Sequence, residues 1–450
     1  MASKKILVLT PQFPYPPSQG TTIRNYNLIA GLARRHEVHL LSFGDPAMAR
    51  TTPLHQVCRS VQVVPLPQRS MGQRLRGLFL SRLPDMAQRL PSPAFSRALA
   101  SALDEEQPDV LEVEGIELAR YLLEAVGRRP PALLARDRQI PRFGRRIWRS
   151  AVSELEGDAH RGPVLAQPLV VFDDHNAEYL LQQRAFETDA CSSHPRGWIG
   201  AAYSFVQWRR LRRYERRACL AAHRVVAVSE ADAQALRTLV PGLEPGVVPN
   251  GVDMEFYSQP AAPLASLPHV VPGDLARPGL VFTGKMDFRP NVDAVLWFVQ
   301  EALPLIQRTL PDLLFWVVGK DPHPRLARLA DHPAVRLTGW VEDVRPYIAA
   351  AAVYVIPLRI GGGTRLKVLE AMAMGKAIVS TALGCEGFGV TPDRDLLFAD
   401  SPAEFAAAVI ALLGDPQRRA RLGLQARTFA ASKYDWSAIL PRLERVYQLP

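Results

Sequence analysis

Apolar and polar positions alternate between two rhythms near the start of the chain. "KILVLT" (5–10) is an unbroken apolar run of strand length, followed by a Pro-rich loop that ends at Gly20. In "TTIRNYNLIAGLARR" (21–35), Ile23, Leu28 and Leu32 recur near helical spacing, and "EVHLLSF" (37–43) returns to the strand rhythm. Strands covered on both faces read as continuous apolar runs, so this pattern predicts a β-loop-α-β unit in a parallel sheet. "DVLEV" (109–113), "LVVFD" (169–173) and "RVVAVS" (224–229) are further strands of the same kind. Residues 128–167 are rich in Pro, Arg and Gly with weak periodicity, which predicts a loop or insertion.

The same alternation resumes in the second half. "GLVFTGKM", "DLLFWVVGK", "AVRLTGWV", "AVYVIPL", "AIVST" and "LLFAD" read as short buried strands separated by helical stretches such as "NVDAVLWFVQEALPLIQRTL" (291–310). "SPAEFAAAVIALL" opens with an N-cap, Ser401, and Pro402 at the first helical position. Strands alternating with helices predict α/β architecture, here two Rossmann-like doubly wound domains facing across a cleft. Turn chemistry in "VVPNGVD" (247–253) and Pro-rich composition over 260–279 place the junction. The expected layout is a first domain over 1–255, a linker over 256–278, a second domain over 279–432 and a last helix over 433–450. Open α/β sheets bind ligands beyond the carboxyl ends of their strands, so candidate residues are sought there.

Composition narrows the classes. Of 450 residues, 48% are apolar and 22% charged, the profile of a soluble globular protein. The segment "MASKKILVLTPQFPYPP" is too short in apolar residues for a secretory signal, and four isolated cysteines fit a reducing cytoplasm. The net charge of +10 is concentrated: residues 120–149 carry nine arginines and residues 196–224 carry eight. Such patches favour anionic partners. Nucleic acid is not expected, because no recognition motif accompanies the charge. With "RLRGLFLSRL" (74–83) and "WIGAAYSFVQW" (198–208) nearby, peripheral contact with the anionic inner face of a membrane is the expectation.

The most informative stretch is "RIGGGTRLKVLEAMAMGKAIV" (359–379). Three consecutive glycines carry an entropic cost that needs a reason. Here a strand, a glycine loop and a helix over 364–374, stopped by Gly375, follow one another. Unpaired N–H groups at such a helix start form an anion site, and Gly361, Gly362, Gly363 and Thr364 let a diphosphate approach the backbone. Arg365 and Lys367 add formal charge. Leu366, Leu369 and Ala373 define the buried stripe, with Glu370 on its border, roughly 9 Å along the axis from Thr364. Its carboxylate needs donors, which ribose hydroxyls or a neighbouring Arg365 or Lys367 would supply. The spacing is not that of a P-loop.

With these motifs the sequence resembles the family 4 glycosyltransferases, retaining enzymes of the GT-B fold, and within them sugar transferases of bacterial exopolysaccharide clusters. "PLRIGGGTRLKVLEAMAMGKAIVST" is similar to the family's donor-binding strand, loop and helix. "VVPNGVD" is similar to its interdomain segment, "RVVAVSEADAQAL" to the end of its first domain, and "YDWSAILPRLERVYQL" to the last helix, which crosses back to the first domain. The resemblance implies ribose binding by Glu370; the first glutamate of the family's paired motif is replaced by Gly362. It implies a diphosphate-binding cation at Lys285; Pro290 takes the place of a second, and Arg289, Arg365 and Lys367 offer the missing charge. Trp340 and Val341 fall on the loop that meets the base. In the first domain Gly20 and Thr21 match a turn at the donor phosphate or acceptor, with Arg24 either reaching a ligand or lying at the surface. His175, flanked by Asp174 and Asn176, is implied to lie near the transferred sugar.

The expected activity is transfer of a sugar from a UDP or GDP donor to the hydroxyl of a saccharide or lipid-linked acceptor, with retention and without a cofactor or metal. "DRD" (393–395) has the letters of a metal-binding Asp-x-Asp, but basic groups already serve the leaving diphosphate. The alternatives are a nucleotide-sugar epimerase of the same fold and a non-catalytic nucleotide-sugar-binding partner. A dehydrogenase is weaker, since the first strand lacks the G-x-G-x-x-G that would follow it.

Overall fold

β1 (Lys5–Thr10) is buried from Ile6 onward, which is why it reads as an unbroken apolar run. It pairs in parallel with β2 (Glu37–Phe43) on one side and β4 (Val110–Glu114) on the other. β3 (Ser60–Val64), β5 (Leu169–Asp174), β6 (Arg224–Ala227) and β7 (Gly246–Val247) complete a seven-stranded sheet in the order β3-β2-β1-β4-β5-β6-β7. The edge strand β3 escapes the apolar pattern because it is only partly covered and carries an exposed Gln62. The computed structural model describes residues 2–17, 19–127, 167–190, 195–267, 270, 272–274, 277–361 and 365–448. Apart from residue 167, the Arg-rich insertion expected over 128–167 lies outside them, as do Gly362, Gly363 and Thr364.

The chain divides into two compact units, Met1–Pro249 with Leu440–Pro450, and Asn250–Ile439. The last helix, Trp436–Val446, therefore ends in the first unit. There Tyr447 donates a hydrogen bond to Glu112, and Arg35 meets Glu444 at 3.1 Å. The core of this unit joins Leu9, Phe43 and Phe172 of the sheet to Phe95 and Tyr121 of its helices, with Phe43 and Phe95 stacked at 4.2 Å.

The second unit has a six-stranded parallel sheet of β8 (Gly279–Thr283), β9 (Leu314–Val318), β10 (Val335–Gly339), β11 (Val353–Ile356), β12 (Ile378–Ser380) and β13 (Leu397–Phe398), ordered β10-β9-β8-β11-β12-β13. All six expected strands are present. The expected helix over 291–310 is interrupted: Arg289–Trp297 passes through a π turn, Phe298–Ala302, into Leu303–Gln307. Pro304 offers no amide to the preceding turn, and the wider turn accommodates it. Ser401 caps Pro402–Gly414 through a capping box with Glu404, and Gly375 ends Leu366–Ala373 with φ +64°. In each unit the order reverses about a central strand, β1 or β8, which puts the crevices beyond β1, β4 and β5, and beyond β8 and β11. Among the described residues no helix is long and apolar enough to cross a membrane.

Candidate functional site

In the second unit the loops after β8 and β9 touch backbone to backbone. A Cβ on Gly319 would lie 1.7 Å from the Gly284 carbonyl oxygen, so glycine is required there. Gly284 in turn abuts two side chains: a Cβ on it would fall 2.7 Å from the Asn291 amide nitrogen and 2.9 Å from Lys367 Nζ. Asn291 clasps the corner. Its Nδ2 donates to the Lys285 carbonyl at 2.8 Å, and its Oδ1 accepts from Lys367 Nζ at 2.8 Å. The Lys367 ammonium also lies 3.9 Å from the centre of the Phe282 ring. Burial pushes its pKa down to about 7, with Glu370 opposing the shift and Arg365 adding to it.

Glu370 follows one turn later on Leu366–Ala373. Burial raises its pKa, against the pull of Lys367 and of a hydrogen bond from the Tyr257 hydroxyl. Tyr257 comes from the short helix Met254–Ser258, and neither Tyr257 nor Asn291 was singled out by the sequence pattern. Asn291 leaves a faint signal, a polar residue just after a proline at a helix start; Tyr257 leaves none.

The other expected donor residues divide. Gly361 has φ +114°, and a Cβ there would press on Pro290 at 3.1 Å, which accounts for the first glycine of the run. Arg365 precedes the helix, is buried, and lies 4.0 Å from Glu386. Lys285 is exposed and pairs with Asp287 at 2.9 Å, and Arg289 is exposed at the start of its helix. Trp340 is 68% exposed and is not a core residue, whereas Val341 packs on the core. In the Asp-x-Asp letters, Asp395 accepts from the Thr391 amide and from Arg394, and Asp393 lies 3.5 Å from Arg418.

In the first unit a cavity of 280 Å³ opens beyond β1, β4 and β5, and Thr21, Asp174, His175 and Asn176 all line it. Gly20 opens the helix Gly20–Leu32 beside Thr21. His175 Nε2 lies 2.5 Å from Glu114 Oε2, at the end of the neighbouring strand. Gly115, with φ +80°, turns the chain between them, where a Cβ would stand 3.7 Å from His175 Nδ1. Burial alone would lower the His175 pKa; the hydrogen bond and charge of Glu114, aided by Asp173, outweigh it and raise the pKa. The imidazole is thus held in place by Glu114 and partly exposed to the cavity. Glu114 was not singled out either, although a carboxylate closing an apolar strand at its carboxyl end is a readable signal.

Arg24 is not at the surface, as one reading of the sequence had it. It is buried to 2% exposure, 2.6 Å from Asp173 Oδ2, and donates to the carbonyls of Val248 and Pro249. Asp174 is buried against Glu215, and burial followed by the charge of Glu215 raises its pKa well above the carboxylate range. Neither Asp174 oxygen has a hydrogen bond of good geometry, while Glu215 accepts from the amides of Glu178 and Tyr179. Burial pushes Glu215 up as well, to about 7, with its amide donors opposing that shift.

Two groups of potential metal donors occur among the described residues, Glu37 with His39 and Glu106, and Glu114 with Asp173 and His175. In the second group the Arg24 guanidinium lies 2.6 Å from Asp173, and His175 is hydrogen-bonded to Glu114.

Residues 277–415 match the family model described as glycosyl transferases group 1, and residues 190–256 match that of glycosyltransferase family 4. These two segments are glycosyltransferase domains. The glycine loop, Lys367 and Glu370 all fall in the first of them. The chain is 32% identical over 212 residues to the phosphatidyl-myo-inositol mannosyltransferase of Mycolicibacterium smegmatis, covering 45% of this chain and 51% of that protein. It is 26% identical over 274 residues to the alpha-maltose-1-phosphate synthase of the same organism, covering 56% and 68%. It thus spans about half the length of the mannosyltransferase. Among solved structures, sucrose-phosphate synthase from Thermosynechococcus elongatus superimposes with a TM-score of 0.64 at 16% identity, covering 99% of this chain and 98% of that one. Anabaena HepE in complex with UDP gives 0.58 at 15% identity, covering 98% of each. The glycosyltransferase domains of this chain lie within a GT-B fold.

Proposed function

We propose that this chain is a retaining, metal-independent glycosyltransferase that moves a hexosyl group from a UDP- or GDP-sugar to an acceptor hydroxyl in polysaccharide or glycolipid synthesis. The observation that carries the reading is Lys367: a buried ammonium beside Gly284, hydrogen-bonded to the neutral amide of Asn291. A diphosphate is the ligand that would satisfy it, and the structure of HepE with UDP supports a nucleotide in a protein of this fold. Glu370, held by Tyr257 one turn on, is suited to ribose hydroxyls.

In the reaction the bond from the anomeric carbon to the diphosphate breaks as the bond to the acceptor oxygen forms. The acceptor proton passes to a phosphate oxygen of the leaving group. Lys367 and Arg365 stabilise the charge that develops on the diphosphate, the contribution expected to be largest. Lys285 and Arg289 are exposed basic groups in the segment that leads to Asn291 and add to the positive charge there. His175, fixed by Glu114, is the group of the first unit suited to hydrogen-bond a sugar hydroxyl.

Thermal shift with UDP, GDP, ADP and their sugar conjugates, with and without EDTA, tests the reading on wild type and Glu370→Ala. Selective stabilisation that survives EDTA and collapses in the variant is expected. No shift with any nucleotide would overturn it. Exposed Met71, Leu80 and Trp198, the last on the same helix as the arginines of 209–217, support peripheral binding to an anionic membrane, which flotation with and without anionic lipid tests.

A further inference from the structure

The cavity of the first unit is small and has an unusual charge balance. At 280 Å³ it lies just under the range of about 300–1,000 Å³ typical of drug-sized ligands, enough for roughly one sugar ring. Asp174, Glu117 and Glu178 place three carboxyl groups on its wall, and Arg89 and His175 are the basic groups there.

Both basic groups are engaged. Arg89 lies 3.3 Å from Asp85 through Nε and 3.8 Å from Glu117 through Nη1, and His175 is held by Glu114. A phosphoryl group entering the cavity would meet Glu117 and Glu178 with no cation left to itself among the described lining residues. The remaining polar groups are neutral: the Gln12 and Asn176 amides and the Thr21 hydroxyl. Asn176 already leans on Glu178, donating to Oε1 at 3.3 Å. Carboxylates and amides arranged in this way offer both acceptors and donors, the complement of adjacent ring hydroxyls, each of which is both.

We infer that this cavity binds one uncharged saccharide ring, read by Glu117, Glu178 and Asn176, and that it discriminates against the same ring carrying a phosphate. The proposal rests on the glycosyl-transfer reading only in naming that ring the acceptor. Glu178 adds to this geometry: burial, and then the charge of Glu117, raises its pKa to about 7 against the single long hydrogen bond from Asn176, the mark of a carboxylate with few donors. Ring hydroxyls would supply them.

Saturation-transfer NMR on the full chain compares methyl glucoside, methyl mannoside and methyl galactoside with glucose, mannose and galactose 6-phosphates. At least one glycoside is expected to bind, and its 6-phosphate counterpart to bind about tenfold more weakly or worse. Glu117→Gln and Glu178→Gln, verified as folded by circular dichroism, should weaken the glycoside and narrow that gap. Equal or tighter binding of the phosphates, absence of glycoside binding at millimolar concentration, or glycoside affinity unchanged in both variants would each overturn the proposal. Nucleotide thermal shifts on the same samples separate the two readings. Glycoside binding without any nucleotide shift leaves a neutral-sugar site and removes transfer; a nucleotide shift with preferred phosphosugar binding does the reverse.

Discussion

Lys367 makes the donor site testable through protons. The gap between the ordinary lysine value of 10.5 and about 7 corresponds to about 5 kcal/mol of disfavoured ammonium. That is an upper bound, because the residue keeps partial exposure. Between pH 7 and 10.5 the unfolded chain holds this proton and the folded chain does not, so the free protein gains stability from this group as pH rises through that window. A bound diphosphate reverses the balance by giving the ammonium a counter-charge. Binding above pH 7 must then take up a proton, near none at pH 6 and approaching one at pH 8.5. Affinity should fall by up to tenfold per pH unit above 7. Isothermal titration in two buffers of different ionisation enthalpy measures the uptake. A nucleotide sugar is the ligand to use, since its doubly esterified diphosphate does not itself titrate there. Lys367→Met should abolish the uptake and flatten the pH dependence, and Lys367→Arg should flatten it while keeping more affinity. Wild-type binding with no proton uptake at pH 8.5, indistinguishable from Lys367→Met, would refute the assignment of Lys367 to the diphosphate.

Three further outcomes follow from the first unit. Arg24→Met leaves Asp173 buried and uncompensated, and should destabilise the protein by about 3–5 kcal/mol in urea unfolding, with Arg24→Lys losing less. The Glu178 carboxyl, raised from 4.5 to about 7, contributes stability that is present below pH 4.5 and lost as pH rises through 7; up to about 3 kcal/mol is at stake, and Glu178→Gln should flatten that slope. Glu114→Gln removes the charge that holds the imidazolium, so the His175 pKa should fall below its ordinary 6.5 under the remaining burial, as NMR titration of its ring protons would record.

Much of the scaffold was legible because buried parallel strands announce themselves as apolar runs. β1, β2 and all six strands of the second unit were readable for that reason, and Gly375 and Ser401 gave the ends of their helices through turn and cap chemistry. β3 was hidden because an edge strand needs apolar cover on less of its surface. The π turn before Leu303 was hidden because a single proline in an apolar helix signals a break without saying how the backbone absorbs it.

The chemistry at the strand ends was less legible, and Arg24 shows why. From its position one turn into a helix after a loop, an arginine reads as a surface or ligand residue. Here its charge is drawn inside by Asp173, which lies 149 positions away and beside Glu114 in the sheet register. Glu112, two residues before Glu114, is buried too, and its hydrogen bond comes from Tyr447 near the end of the chain. Such a cluster is set by pairing of distant strands and not by local spacing. A motif can therefore name His175 while missing Glu114, whose hydrogen bond and charge act to raise the His175 pKa. The Glu114→Gln titration above separates the two contributions: if the His175 pKa holds, the carboxylate only orients the ring, and if it falls, the strand register itself sets the acidity of the site.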